Sequence, residues 1–179
     1  MLKDSSLARS KSIIVRVDRI REANMYLYLI QHAQAKPKEE DPQRGITQNG
    51  ERVTEQMAHY FKRLKPRIRE IWHSGKLRAR QTADIMASSV KLKKKLIEKA
   101  GLAPMDDVLK IKEQLTAVED NLMVVGHLPH LARLSSVLLS GDQEAGLIRF
   151  SNSAIVCLER EGGQWQLAWM VVPDNVIMK

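Results

Sequence analysis

Three short segments of this chain carry side chains that could act together on one anionic group. Leu29-Ile30-Gln31-His32-Ala33 sets a histidine at the end of the apolar run Met25-Tyr26-Leu27-Tyr28-Leu29-Ile30. The C-terminal mouth of a strand is where open α/β sheets hold their ligands. Ser74-Gly75-Lys76-Leu77-Arg78-Ala79-Arg80-Gln81-Thr82-Ala83 and Val125-Gly126-His127-Leu128-Pro129-His130 look built for the same pocket. Together the segments predict a site of two histidines and an arginine. A neutral imidazole serves as nucleophile or base near neutral pH, and a guanidinium fork holds two oxygens of an oxyanion at once. Ser74 is placed to cap a helix, so that Arg78 falls one turn in, where the helix N-terminus favours anions.

The elements that must position these residues alternate from Met25 onward. Met25 to Gln31 reads as the first strand, and Lys36 to Gln43, rich in charge and proline, as a loop. Thr47 can cap a helix whose apolar positions Val53, Met57, Tyr60, Phe61 and Leu64 recur at helical spacing and which Pro66 ends. Ile68 to His73 reads as a second strand, and the helix after Ser74 carries Arg78, Ala79, Ala83, Met86 and Val90. Leu96 to Glu98 fits a short edge strand, and Val108, Ile111 and Leu115 mark another amphipathic helix. Leu122 to Gly126 is an unalternated apolar run, which suits a strand buried on both faces. A helix follows Pro129, with Leu131, Leu134, Leu138 and Leu139 on its apolar face. Finally, Ala154 to Arg160 and Trp165 to Val172 flank the hairpin signal Glu161-Gly162-Gly163-Gln164. The expected fold class is α/β, a single-domain mainly parallel sheet flanked by helices, with a C-terminal β-hairpin.

Composition sets the outer bounds. A chain of 179 residues with 44% hydrophobic content supports one domain with a full core. Its longest apolar runs fall far short of the roughly 20 residues that a membrane helix needs, so no membrane partner is expected. The single Cys157 excludes an intrachain disulfide and a cysteine-rich metal site, and favours a reducing, cytoplasmic setting. Net charge is +8, and Lys91 to Lys99 holds five lysines against Glu98. That run has no aromatic side chain on which a base could stack, so it reads as a solvated face and not as a nucleic-acid site. Phosphate-loop, dinucleotide-binding and His-Glu-x-x-His motifs do not occur. Residues 1–24 form an extension ahead of a domain spanning 25–179. An upstream in-frame start or a disordered arm fits this extension better than a targeting peptide, because Arg16 and Asp18 interrupt Ile13-Ile14-Val15 and Val17.

The three segments resemble the motifs of the histidine phosphatase superfamily, most closely its SixA-type phosphohistidine phosphatases. There a strand-end Arg-His-Gly or Arg-His-Ala opens the fold, Ser-x-x-x-Arg-Ala-x-Gln-Thr follows the second strand, and Gly-His or Ser-His closes the next long strand. The resemblance runs from Met25 to about Pro173. It includes Asp41-Pro42-Gln43-Arg44-Gly45-Ile46-Thr47-Gln48-Asn49-Gly50, which is similar to Arg-Pro-Leu-Thr-x-x-Gly with Gly45 for Pro and Ile46 for Leu. One departure stands out: Gln31 replaces the arginine before the first histidine.

The resemblance implies a phosphoglycerate mutase-like fold, with His32 as nucleophile, Arg78 holding the phosphoryl oxygens and His127 contacting the same group. Arg44, Gln31, Asp106 and His130 are its candidate substrate-binding residues, Asp106 and Asp107 being open between a proton-donating role and helix capping. His59 and His73 match no motif, and Arg80 reads as surface. No metal or cofactor is implied. The implied substrate is phosphohistidine in a protein, or a small phosphorylated molecule; the alternative is a catalytically impaired phosphate- or phosphoprotein-binding module of the same fold.

Overall fold

The computed structural model describes residues 24–92 and 96–176. Residues 1–23 of the extension and Lys93 to Lys95 of the lysine run lie outside the described residues, so the readings made for them stay expectations. β1 (Met25–Gln31) is central, and β6 (Leu122–Gly126) runs parallel beside it with Leu27 opposite Leu122 and Gln31 opposite Gly126. β3 (Glu70–His73) lies parallel to β6, and β5 (Leu96–Glu98) parallel to β3. On the other side of β1, β7 (Ile155–Glu161) and β8 (Gln164–Val171) add antiparallel, giving the order β5-β3-β6-β1-β7-β8. The turn between the last two places Gly162 and Gly163 at φ 56° and 82°, a left-handed pair that glycine adopts without steric cost.

Alternation along the strands sends successive side chains to opposite faces. One face carries Leu27, Leu29, Val124 and Val156 against Val108, Ile111 and Leu115 of α3 (Val108–Thr116) and Leu131 and Leu134 of α4 (His130–Ser140). The other carries Tyr28, Ile30, Val125 and Ile155 against Met57 and Phe61 of α1 (Gln48–Arg63) and Ala83 and Met86 of α2 (Leu77–Ser88). A short α5 (Pro173–Val176) closes the described chain. None of the described helices is long and apolar enough to cross a membrane.

Two expectations change. The strand expected over Ile68 to His73 is divided: β2 (Arg67–Ile68) pairs with β4 (Lys91–Leu92) in a separate two-stranded sheet, and only β3 joins the main one. The Arg69 N–H bonds to the Asn121 carbonyl just ahead of β6, and the chain changes sheets at that point. Ser74 does not cap α2. The helix starts at Leu77 behind Lys76, which makes no side-chain capping bond, because the Ser74 hydroxyl is engaged with a histidine across the sheet end.

Candidate active site

The pairing of Gln31 with Gly126 brings the C-terminal ends of β1 and β6 level, so His32 and His127 leave the sheet side by side. Their ring centroids are 4.9 Å apart, and the His32 N–H donates to the Gly126 carbonyl at 3.0 Å. His32 Nδ1 lies 2.7 Å from the Ala33 carbonyl oxygen. A carbonyl can only accept, so Nδ1 carries the ring proton and Nε2 keeps its lone pair. The Nε–H of Arg78, the second residue of α2, points to that lone pair at 3.2 Å. Ser74 Oγ sits 2.5 Å from His127 Nε2.

A ring of hydrogen bonds fixes this arrangement. Thr82 Oγ1 accepts from the Ala33 N–H at 2.9 Å and donates to the Arg78 carbonyl at 2.7 Å, joining the strand end to the helix turn. Gln81 Oε1 accepts from the Ile46 N–H at 2.9 Å and holds the 36–46 loop to the same helix. Asn152 Nδ2 donates to the His32 carbonyl at 2.7 Å, and the Ser153 N–H to the Gln31 carbonyl at 2.9 Å. Thr47 caps α1 as expected, accepting from the Gly50 N–H. At Gly50 a Cβ would come within 2.5 Å of the Gln34 carbonyl oxygen; only glycine lets α1 approach the backbone just beyond His32 so closely.

Burial lowers the pKa of His32 to about 4; the bond to Ala33 opposes this, and the nearby Arg78 and Arg44 charges reinforce it. His127 is lowered further, to about 3, by burial first and then by His32, Arg78 and Lys76. Both rings are therefore neutral near pH 7. The permanent charges that act on His127, Arg78 and Lys76, are cations and favour its neutral form. Arg78 is itself lowered, by burial and by Arg44.

The other predicted residues spread out. Arg44 is exposed with φ 54°, donates from Nε to the Lys36 carbonyl at 3.2 Å, and shares a cavity of about 600 Å³ with Arg78. Gln31 is half-buried, and its side-chain oxygen is buried without a hydrogen-bond partner. His130, a candidate substrate-binding residue, is completely buried as the first residue of α4. Burial lowers its pKa against the pull of the Gly101 backbone, Asp106 and Asp107. Asp106 accepts from the Ala103 N–H and Asp107 caps α3 through the Leu109 N–H, and neither contributes to the shifts of His32 or His127. His73 Nδ1 accepts from the Gly75 N–H. Cys157 is buried with its thiol pushed up to about 12, far from the thiolate that nucleophilic sulfur needs. Among the described residues, no group of three or more His, Cys, Asp or Glu side chains is placed to hold a metal ion.

Sequence reasoning missed Ser74 as the partner of His127, and it missed Asn152 and Ser153. Ser74 lies inside a motif that was noticed. Asn152 carries no local signal, since its bond to His32 spans 120 residues of sequence.

No protein-family model matches this chain, and no curated protein matches it by sequence. Solved structures do match. The protein histidine phosphatase SixA, solved in complex with tungstate, superposes with a TM-score of 0.77 at 26% identity, covering 86% of this chain and all of its own (100%). This is the histidine phosphatase fold in its SixA-like form. A putative phosphohistidine phosphatase SixA from Agrobacterium tumefaciens shares that fold at TM-score 0.69 and 22% identity, covering 83% of this chain and 98% of its own. Phosphoglycerate mutase from Plasmodium falciparum has it too, at 0.64 and 17%, covering 82% and 90%. The expected mutase-like architecture of the histidine phosphatase fold is thus present over the domain.

Proposed function

We propose that this protein is a phosphatase that works through a phosphohistidine intermediate on His32, and that its substrate is phosphohistidine carried by a protein. The observation that carries the reading is the state of His32: proton held at Nδ1 by the Ala33 carbonyl, lone pair at Nε2 facing the Arg78 guanidinium, ring neutral at working pH. An arriving phosphoryl group takes the guanidinium that now sits on the lone pair, and Nε2 is freed to attack phosphorus. The bond from phosphorus to the substrate nitrogen breaks as the bond to Nε2 forms, and the departing imidazole takes a proton from solvent. Water then attacks the phosphorus, the bond to Nε2 breaks, and orthophosphate leaves with the ring restored. Arg78 holds the oxygens in both steps. His127, neutral, offers a ring N–H to them, and the Ser74 hydroxyl, able to donate or accept, matches either state of Nε2, the nitrogen it faces. An imidazole leaving group takes up a proton readily near neutral pH, so the scheme does without a buried carboxylic acid beside the two histidines.

Trapping tests the reading. Phosphoramidate added to the enzyme should leave a phosphoryl group on His32 that survives alkali and decays in acid, with His32→Ala giving none. An acid-stable adduct, or one on another residue, would remove His32 from the role. Gln31 supports a second reading, a phosphate-binding module with negligible turnover, because a neutral amide stands where SixA-type sequences carry a guanidinium. Phosphate binding without any phosphoramidate turnover would favour that module.

A further inference from the structure

The cavity between the 36–45 loop and the start of α2 is lined by Lys38, Arg44, Lys76, Arg78 and Arg80, with no acidic residue in its wall. Among the described residues none of these five makes a salt bridge, whereas neighbouring Lys36 is paired with Glu40. The acids close by are otherwise engaged. Asp41 accepts the Gln43 and Gly45 N–H groups, and Glu98 lies against Gly75 and acts on His73. Arg44 and Arg78 are near enough to act on His32, and Lys76 on His127, so these three serve the phosphoryl group itself. Lys38 and Arg80 complete the cationic wall without acting on either histidine.

Even with Asp41 and Glu98 counted at one negative charge each, a dianionic phosphoryl group leaves the five cations of this wall with an excess of positive charge. Unpaired like charges gathered in a concave surface repel one another, and they focus a field that draws and orients an anion. We infer that this cleft holds acidic side chains flanking the phosphorylated residue of a protein substrate, with Lys38 and Arg80 selecting for them. The inference rests on the phosphatase reading and names the kind of protein segment that reading would accept. The cations come from two separate chain segments facing one another across the cavity, an arrangement suited to an extended segment bearing several carboxylates.

The test compares phosphohistidine peptides flanked by Asp and Glu with the same peptides flanked by Asn and Gln, beside phosphoramidate as a substrate without flanks. We expect kcat/KM about tenfold higher for the acidic peptide at low salt, through KM, with the advantage shrinking as salt screens the charges. Combining Lys38→Glu with Arg80→Glu should abolish that preference and leave phosphoramidate turnover within about twofold of wild type. Equal turnover of the two peptides would overturn the inference, as would a double variant that slows phosphoramidate and acidic peptide alike. So would a small bisphosphorylated compound competing strongly while the acidic peptide shows no advantage. Loss of phosphoramidate turnover in wild type would instead count against the phosphatase reading. Calorimetric binding of the two peptides would still decide the inference then, with tighter binding of the acidic peptide supporting it and equal binding overturning it.

Discussion

Gln31 sets the scale of what one side chain can change. Its amide stands at the end of β1 opposite Gly126, with its oxygen buried and unpartnered, where a guanidinium would place a full charge. Hydrogen bonds to charged groups contribute roughly 1.5–3 kcal/mol against about 0.5–1.5 for neutral pairs, a deficit of about 1–1.5 kcal/mol. On the rate scale that is roughly tenfold. Gln31→Arg is therefore expected to raise kcat/KM for phosphoramidate about tenfold. Arg78→Ala should do far more damage in the opposite direction, since Arg78 contacts His32, the proposed nucleophile. Steady-state kinetics on the two variants check this, and a folded Gln31→Arg protein no faster than wild type would show that the amide costs nothing.

At the scale of elements, the site depends on α2 being tied to the end of β1. Thr82 makes that tie from a fully buried position, accepting from the Ala33 N–H and donating to the Arg78 carbonyl. Thr82→Val keeps the shape of the side chain and removes both bonds. It leaves a buried N–H unsatisfied, at a cost of about 1–3 kcal/mol. Because Ala33 also orients the His32 ring through its carbonyl, turnover should fall along with stability. Urea denaturation and kcat/KM measured on the same sample test the pair of effects; a variant as stable and as fast as wild type would deny the tie its importance.

For the whole molecule, half-buried His32 and buried His127, both neutral, couple folding to pH. In the unfolded chain a histidine titrates near 6.5, whereas the fold lowers His32 to about 4 and His127 to about 3. Between those values the unfolded state binds more protons, so stability rises with pH there. The contribution is fully present above about pH 6.5, shrinks as pH falls toward 4, and is spent near 3. Melting temperature should therefore drop steeply on acidification from pH 7 to pH 4. A variant with His32→Asn and His127→Asn should show a visibly shallower drop than wild type. Parallel curves for the two proteins would mean that groups other than His32 and His127 govern the acid transition.

The sequence by itself determined most of the elements and brought forward the residues of the candidate site. β1 over Met25–Gln31, the fully apolar β6 and the glycine-pair hairpin are set by local periodicity and turn chemistry, which need no knowledge of distant contacts. His32 and His127 were legible because each ends an apolar strand signal, and Arg78 because it stands in a stretch that resembles a family motif. Tertiary structure decided the rest. Ser74 reads locally as a helix cap, yet its hydroxyl meets His127 across the sheet end. His130 stands among the candidate substrate-binding residues by sequence, yet as the first residue of α4 it is completely buried. Asn152 reaches His32 only because β7 lies beside β1. The ring proton on His32 Nδ1 and the low pKa values of both histidines likewise come from carbonyls, cations and burial that only the packed chain brings together. Local sequence encodes what a segment prefers, and the partner that a polar side chain finally meets is chosen by how the layers stack.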